Sequence, residues 1–479
     1  MKKQYFLYFC LSFLCIPARF VSSFDEDSFH QHTLTPSVFT RGVEQTAVHR
    51  FIGSSETLLS NGIMMGFNIA NNKFTGNASW AIPTADSISR NLSTPWHWED
   101  TDGFKVNQIG HPIQGAIYFG AGRLNGFSFY ESVFFSALGS SSWEIMGESN
   151  PASINDLITT VTGSLSLGEI LYRLYLEACA AGVPQLLALF INPMAGFHRL
   201  ATGWEPPDSG GNIYEFNVHL GTSYAQTHSS ISSGNEELFS FRGPVADLGL
   251  AVIYGNPFDQ GSRIPFNHFE FDLSLGMDMG NYMGLKLITD AYLFSFSPVY
   301  TYSDMMSTGL SLHLDFVSLG KFDFDGTSTI DQFSNALDWT IKYQHLFPQN
   351  VSFQTKFHFG FTFMGVSEYY SPDLMRDLRN YGAGLNSKLI INLEHKRVGK
   401  LSMGIFGYTL WSYPGTSALS GGTVNWLFTD IAYSHYITNY LSVGISHSFA
   451  LERGLFSGDN IPNTRKSNNA AKLFLTWNF

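Results

Sequence analysis

A histidine set among carboxylates and serines is raw material for acyl transfer, which needs a base, a group to orient it and a hydroxyl nucleophile. The chain offers such a set: His111, with Glu131, Glu144 or Asp156, and Ser132 or Ser142. The chemistry this would support is a lipid- or lipopolysaccharide-directed hydrolysis. No G-x-S-x-G nucleophile elbow surrounds any of these serines, however. The same polar residues have a structural use. Asp102, Asn107, His111, Arg123, Glu131, Trp143, Glu144, Glu148, Asn155, Asp156, Glu169 and Arg173 can satisfy one another, because buried charges require partners. That mutual pairing is the expectation carried forward, with no catalytic residue assigned.

Metal chemistry has less to build on. Neither H-E-x-x-H nor a spaced Cys/His quartet occurs, and the 15 histidines are scattered. His30 and His32 are close enough to chelate but follow directly on an N-terminal leader. Of the 3 cysteines, Cys10 and Cys15 lie in that leader, which leaves Cys179 and no disulfide framework. Gly421-Gly422 reads as a turn, since no phosphate-loop motif surrounds it. No metal or cofactor is expected.

The elements that must position these residues fall into two textures. From about residue 210 onward, apolar and polar residues alternate over segments of roughly ten residues separated by Gly, Asn, Asp, Pro and Ser, the signature of strands and turns. Val351, Phe353, Phe357, Phe359, Phe361 and Phe363 share one face; Gln354, Lys356, His358 and Thr362 share the other. Phe269, Phe271, Leu273 and Leu275 alternate with His268, Glu270, Asp272 and Ser274, and Leu310, Leu312, Leu314 and Phe316 alternate with Ser311, His313 and Asp315. Such segments are long enough to cross a bilayer when tilted. Tyr214, Tyr224, Tyr292, Tyr408, Trp411, Tyr433 and Tyr440 lie near segment ends, where interfacial aromatic girdles belong.

About twelve segments are expected, near 212–224, 245–255, 266–279, 283–296, 308–319, 335–346, 350–364, 381–395, 400–412, 424–437, 440–453 and 470–479. The connections near 347–349 and 396–399 read as periplasmic turns; 297–307, 365–380, 412–423 and 454–469 read as outer loops. The polar faces, with His219, His268, Glu270, Asp272, His313, Asp315, Lys356, His358 and His435, would line a lumen. A ring of twelve strands is expected to be too wide for its own side chains to fill, so a plug or water is needed.

Residues 55–205 are different, with Ala-, Gly- and Ser-containing apolar stretches at helical spacing. Ser153 and Asp156 form an S-x-x-D cap, Glu169 and Arg173 an i,i+4 pair, and Gly182 a stop. The uncharged stretch 178–198 is broken by Gly182, Pro184 and Pro193, which favours a packed helix pair over a membrane span. The expected role of this region is a helical plug or a periplasmic-mouth domain.

Two resemblances follow from these residues. The last strand, with Leu473, Leu475, Trp477 and terminal Phe479 on one face, resembles the closing strand that the assembly machinery of bacterial outer-membrane barrels reads. The string Trp96-His97-Trp98-Glu99-Asp100, Asn107, His111-Pro112, Arg123, Glu131-Ser132, Trp143-Glu144, Glu148, Ser153-Ile154-Asn155-Asp156, Gly168-Glu169 and Arg173, within residues 85–205, resembles an exported bacterial family known only as a domain of unknown function. That likeness implies an envelope location and no activity.

The N-terminus agrees with export. Lys2 and Lys3 precede an apolar core from Tyr5 to Ile16, and Val21-Ser22-Ser23 suits cleavage before Phe24. A lipoprotein signal at Cys15 is disfavoured by the bulk of Leu14. The chain's 479 residues are 44% hydrophobic and 14% charged, against about 25% charged in a soluble domain. With 27 Lys and Arg against 39 Asp and Glu the net charge is −12, which speaks against nucleic acid as a partner.

The reading is therefore a mainly β protein: a transmembrane antiparallel β-barrel of about twelve strands at residues 206–479, a helical domain at 55–205, an N-terminal periplasmic segment at 24–54 and a signal peptide at 1–23. Expected partners are outer-membrane lipids, the barrel assembly machinery and an unidentified small solute or lipid. The functional expectation is a plugged channel or transporter, or an envelope-maintenance protein. The alternatives are the hydrolase already described and a surface adhesin acting through its loops.

Overall fold

A computed structural model describes residues 47–479 apart from 99–101, 208–209, 232–235, 259–260, 281, 322–329, 372–375, 414–420 and 458–460. The expected signal peptide, the segment to residue 46 with His30 and His32, and Glu99-Asp100 of the motif string lie outside the described residues. The chain forms two compact units, one helical and one a barrel, which divide between Asn212 and Ile213.

The helical unit contains α1 (Ala47–Phe74), α2 (Ala85–Ser93), α3 (His111–Leu124), α4 (Phe129–Met146), α5 (Ile154–Gly163), α6 (Glu169–Ala180), α7 (Gln185–Ile191) and α8 (Pro193–Thr202). Local chemistry sets the boundaries. Thr84 with Ser87 and Ser128 with Glu131 form reciprocal capping boxes for α2 and α4. The Ser153 hydroxyl accepts from the Asp156 amide to start α5, and Asn192 accepts from Ala195 to start α8. The stretch 178–198 becomes the end of α6, then α7 and α8, with Gly182 at φ 71° supplying the first break.

The helices cross closely because glycines sit where they meet. A Cβ on Gly115 of α3 would lie 2.0 Å from the Thr160 carbonyl of α5, and one on Gly163 would lie 2.3 Å from Pro112. At the centre, Glu169 accepts two hydrogen bonds from Arg123, at 2.8 and 3.2 Å, and one from Arg173 at 2.9 Å. Arg123 also donates to the Phe127 carbonyl and lies over the Tyr172 ring. Burial pushes the Glu169 carboxyl up, yet the two guanidinium groups outweigh it and hold it below its ordinary value.

The barrel strands are β1 (Ile213–Ile231), β2 (Glu236–Tyr254), β3 (Phe269–Met277), β4 (Tyr282–Tyr300), β5 (Asp304–Lys321), β6 (Ile330–Phe347), β7 (Val351–Ser371), β8 (Arg376–His395), β9 (Gly399–Ser412), β10 (Gly421–Tyr436), β11 (Leu441–Ser457) and β12 (Thr464–Asn478). Each pairs antiparallel with its sequence neighbour, and β1 pairs with β12 from Asn217 opposite Asn478 to Ile231 opposite Thr464, which closes the ring. Phe479 extends the seam by exchanging backbone hydrogen bonds with Phe216. Gly261–Ser262 adds a short pairing beside β4. Gly103–Lys105 groups with the barrel, and Phe104 packs on Phe316 with ring centroids 5.6 Å apart.

Twelve strands form where the alternation places them, but they run further than it suggests. The expected outer loop at 297–307 is a tight turn at Thr301–Ser303, on the same end of the barrel as both barrel termini. Most of 365–380 belongs to β7 and β8. Polar strand ends carry no alternation to read. At Gln349 and Asn350, φ values of 70° and 64° supply the left-handed pair that a tight hairpin requires.

Glu169→Ala would remove the carboxylate that two buried guanidinium groups share, and we expect a loss of about 3–5 kcal/mol in the helical unit. Urea titration of the full-length protein in detergent, read by tryptophan fluorescence, checks this. The folded pKa of Glu169 lies below its unfolded value of about 4.3. The triad's contribution is therefore fully present above that pH and is lost as pH falls through the depressed value.

Candidate functional site

The barrel wall has one exposed apolar face and one inward polar face over much of its circuit. Phe357, Phe359 and Phe361 are 42–51% exposed, while His358 between them is 2% exposed. Outward Tyr214, Tyr224, Trp411, Tyr433 and Tyr440 are also exposed. Two residues expected in the girdles are not there. Tyr292 and Tyr408 share the inward parity of Asp290 and Phe406, are buried, and bond Ser307 and Asp315 respectively. His435 departs the other way, standing on the outward face with Tyr433.

The side chains of the wall meet across the lumen. Val317 of β5 and Ile330 of β6 form one buried cluster with Phe406 and Tyr408 of β9, Trp426 and Phe428 of β10 and Ala450 of β11; Ile288, Leu319 and Ile390 pack against it. Toward the loop end, β6 and β12 approach to Cα separations of 8 Å or less although they are not neighbours in the ring. Lys466 of β12 donates to the Glu368 carbonyl of β7, and Tyr369 packs on Phe456 of β11. The expectation that twelve strands are too wide for their own side chains assumed a round section. Here opposed walls come close enough for aromatic side chains to span the gap.

Beside the cluster runs a charge network. Lys342 of β6 reaches Asp290 of β4 at 2.7 Å, Glu270 of β3 at 2.9 Å and His268 Nε2 at 2.7 Å. Lys356 holds both oxygens of Glu270 at 2.6 Å. Lys388 of β8 reaches Asp315 of β5 at 2.6 Å and His313 Nδ1 at 3.1 Å. His358 bonds Thr340, and Asn386 donates to Asp338. Asp290, His313 and His358 present ligand atoms within 4.8 Å of one another and could meet on one ion. Lys342 already binds Asp290, Lys388 binds His313 and His358 bonds Thr340, so the trio's chemistry fits an ion-pair network better than a metal centre.

The other part of the lumen is a cavity of about 970 Å³. Its rim lies at the terminal end, where Lys396, Arg397 and Thr438 belong to turns. Deeper in stand Asp247, Asp272, Asp430, Lys286 and Lys472. Lys286 is 3.7 Å from Asp272 and Lys472 is 3.8 Å from Asp247, too long for direct hydrogen bonds. His219 lines the cavity and bonds Thr476. The far wall includes Tyr282, which stacks on Phe241 at 4.4 Å and packs with Ala225 and Val245.

The structure thus divides the inward residues. His268, Glu270, His313, Asp315, Lys356 and His358 enter the network, whereas His219 and Asp272 face the cavity. Lys342, Lys388, Asp290 and Asp338 were missed, although Asp338, Thr340 and Lys342 alternate with Leu337, Trp339 and Ile341 and could have been read by the same rule. On the closing strand, Leu473 and Leu475 are exposed and Phe479 packs on Phe216.

In the helical unit the polar residues form several separate groups. His111 lies 3.6 Å from Asp156, and the hydroxyl beside its ring is that of buried Thr160, not a serine. Asn155 donates to Asp156, and Glu144 accepts from the Ser153 amide. Glu148 accepts from Asn150; Trp143 and Asn107 are buried, and Asp102 is half-buried. Glu131 caps α4 and pairs with Arg50. Arg123, Glu169 and Arg173 are the triad described above.

Lys342→Met would leave Asp290 and Glu270 without their shared cation, and we expect about 3–5 kcal/mol of barrel stability to be lost. Asp272→Asn, in the cavity and 43% exposed at its side chain, should cost less than about 1 kcal/mol. Urea midpoints for loss of heat-modifiable gel mobility would separate the two.

Residues 95–194 are similar to a family described as a domain of unknown function (DUF3943). No curated protein sequence matches the chain. Among solved structures, the COG4313 outer membrane channel from Pseudomonas putida F1 aligns at 11% identity over 58% of this chain and 100% of that one, with a TM-score of 0.32. The translocator domain of the autotransporter NalP from Neisseria meningitidis aligns at 10% identity over 60% and 95%, with a TM-score of 0.25, and the NanC porin at 8% over 53% and 98%, also 0.25. The chain itself forms a closed antiparallel β-barrel of twelve strands preceded by helices.

Proposed function

We propose that this is an integral outer-membrane barrel that admits a small polar solute through its terminal-end cavity and is closed at rest by its own wall. The carrying observation is the cavity itself. It offers carboxylates and ammonium groups that are only loosely paired, and it adjoins a lumen filled by Phe406, Tyr408, Trp426 and Phe428. Mixed charge suits a solute carrying both signs, each end displacing one long ion pair.

Barrel topology gives the cavity its side. In an outer-membrane barrel the even strand count puts both termini and the short turns in the periplasm, so the cavity would open there. The exposed phenylalanine rows would meet lipid, and the leader read from the sequence would supply export. Passage to the far side would require the aromatic cluster and the lysine-centred network to move. Among the described residues the hydroxyl beside His111 is that of buried Thr160, so the geometry favours this reading over hydrolysis.

Planar-bilayer recording tests the closed state. The refolded mature protein should be nearly silent, and the Phe406→Ala/Trp426→Ala double variant should conduct once heat-modifiable mobility shows that it has folded. Steady large conductance in the parent would overturn closure by the wall, and a folded, silent double variant would remove the aromatic cluster as the gate.

A further inference from the structure

Helix α1 is amphipathic in the wrong sense for a helix on a water-exposed surface. Val48, Ile52, Leu59, Ile63, Phe67 and Phe74 recur at intervals of four and seven, with Phe51 and Leu58 alongside. All eight are exposed, Ile52 by 47% and Phe74 by 86%. The face turned into the helical unit is small and polar. Gly53, Thr57 and Asn61 recur every four residues; Thr57 donates to the carbonyls of Gly53 and Ala121, and Asn61 to that of Phe135. A Cβ on Gly53 would lie 3.2 Å from the Asn125 carbonyl.

The stripe continues onto neighbouring helices. Phe67 lies 6.4 Å from Phe197 of α8, and Phe197, Leu200 of α8 and Leu186 of α7 are also exposed. A contiguous apolar surface of this kind marks an interaction site.

We infer that α1, with the adjoining edge of α7 and α8, lies in the headgroup–acyl boundary of a lipid bilayer. This inference rests on the membrane-barrel reading above for its supply of lipid. Charge identifies the occupant. The stripe carries neither acid nor base; Lys73 stands near the C-terminal end of the helix, where it suits anionic headgroups, Arg50 is taken up by its ion pair with Glu131, and Glu56 is the only acid in the helix. Length agrees: 28 residues span about 42 Å. No helix among the described residues is long and apolar enough to cross a membrane, so a helix of this kind that meets lipid lies along the surface. The chain runs from α8 into a barrel whose outward face is itself apolar, so one molecule would carry both contacts.

Site-directed spin labelling of the mature chain from Phe24, which lacks Cys10 and Cys15, tests the inference. In a Cys179→Ser background, nitroxides placed by Ile63→Cys, Asn71→Cys and Phe359→Cys are compared by power saturation in phosphatidylethanolamine–phosphatidylglycerol vesicles. At position 63 oxygen should relax the label far more than a water-soluble nickel chelate does, with the order reversed at exposed Asn71. A nickel-accessible label at 63 would overturn the inference. So would a label shielded from both agents, which would mean that protein, such as a second copy, covers the stripe. Position 359 keeps the two readings apart, because nickel access there would count against the membrane barrel itself.

Discussion

The seam between β1 and β12 is the constraint from which the rest of the barrel follows. An antiparallel sheet of twelve long strands has two edges of unpaired amides and carbonyls unless first and last meet, and such edges are intolerable in lipid. The register from Asn217–Asn478 to Ile231–Thr464, lengthened by Phe216 and Phe479, removes both edges at once. Closure also constrains which residues face inward on every other strand, because side chains alternate along each one except where a bulge shifts the register. The network of Lys342 and the cluster of Phe406 are consequences of that single register.

Once closed, the ring is flattened enough for opposite walls to touch. Burying Phe406, Trp426 and Phe428 against Val317 and Ile330 recovers about 1.5–3 kcal/mol for each large side chain. Ion pairs in the same space are less generous, since each buried charge gives up its hydration and needs several partners. Lys342, with contacts to Asp290, Glu270 and His268, has them. The cavity, by contrast, keeps its charges at long range and partly exposed. The lumen therefore has a tightly packed part and a loosely paired part.

Much of this was legible in the residues. Alternation located all twelve strands, Ser153 and the Glu169–Arg173 spacing gave two features of the helical unit, and the polar faces gave several members of the network. What stayed hidden has physical causes. Gly399–Ser412 is apolar on both sides, Ile405 outward and Phe406 inward, so period-two reading finds the strand but not its lumenal aromatics. An extra residue near Phe363, which shifts the register opposite Asn335–Ala336 and again between Thr362 and Gly365, re-phases β7, and a pattern extrapolated through it puts later residues on the wrong face. Tyr292 and Tyr408 were misplaced because nearness to a segment end does not reveal parity. Partners such as Lys388 and Asp315 lie three strands apart, a pairing that only the curvature of the wall creates.

Among the described residues, the cavity has its rim at the terminal end and the packed side chains of Tyr282 and Phe241 at its far wall. On the proposed reading, while the aromatic cluster holds, whatever enters from the terminal end leaves by the same route, and occupancy tracks concentration on that side alone. The molecule would then act as a reservoir whose residence time is set by the long ion pairs of Lys286 and Lys472. Uptake would saturate before any flux began.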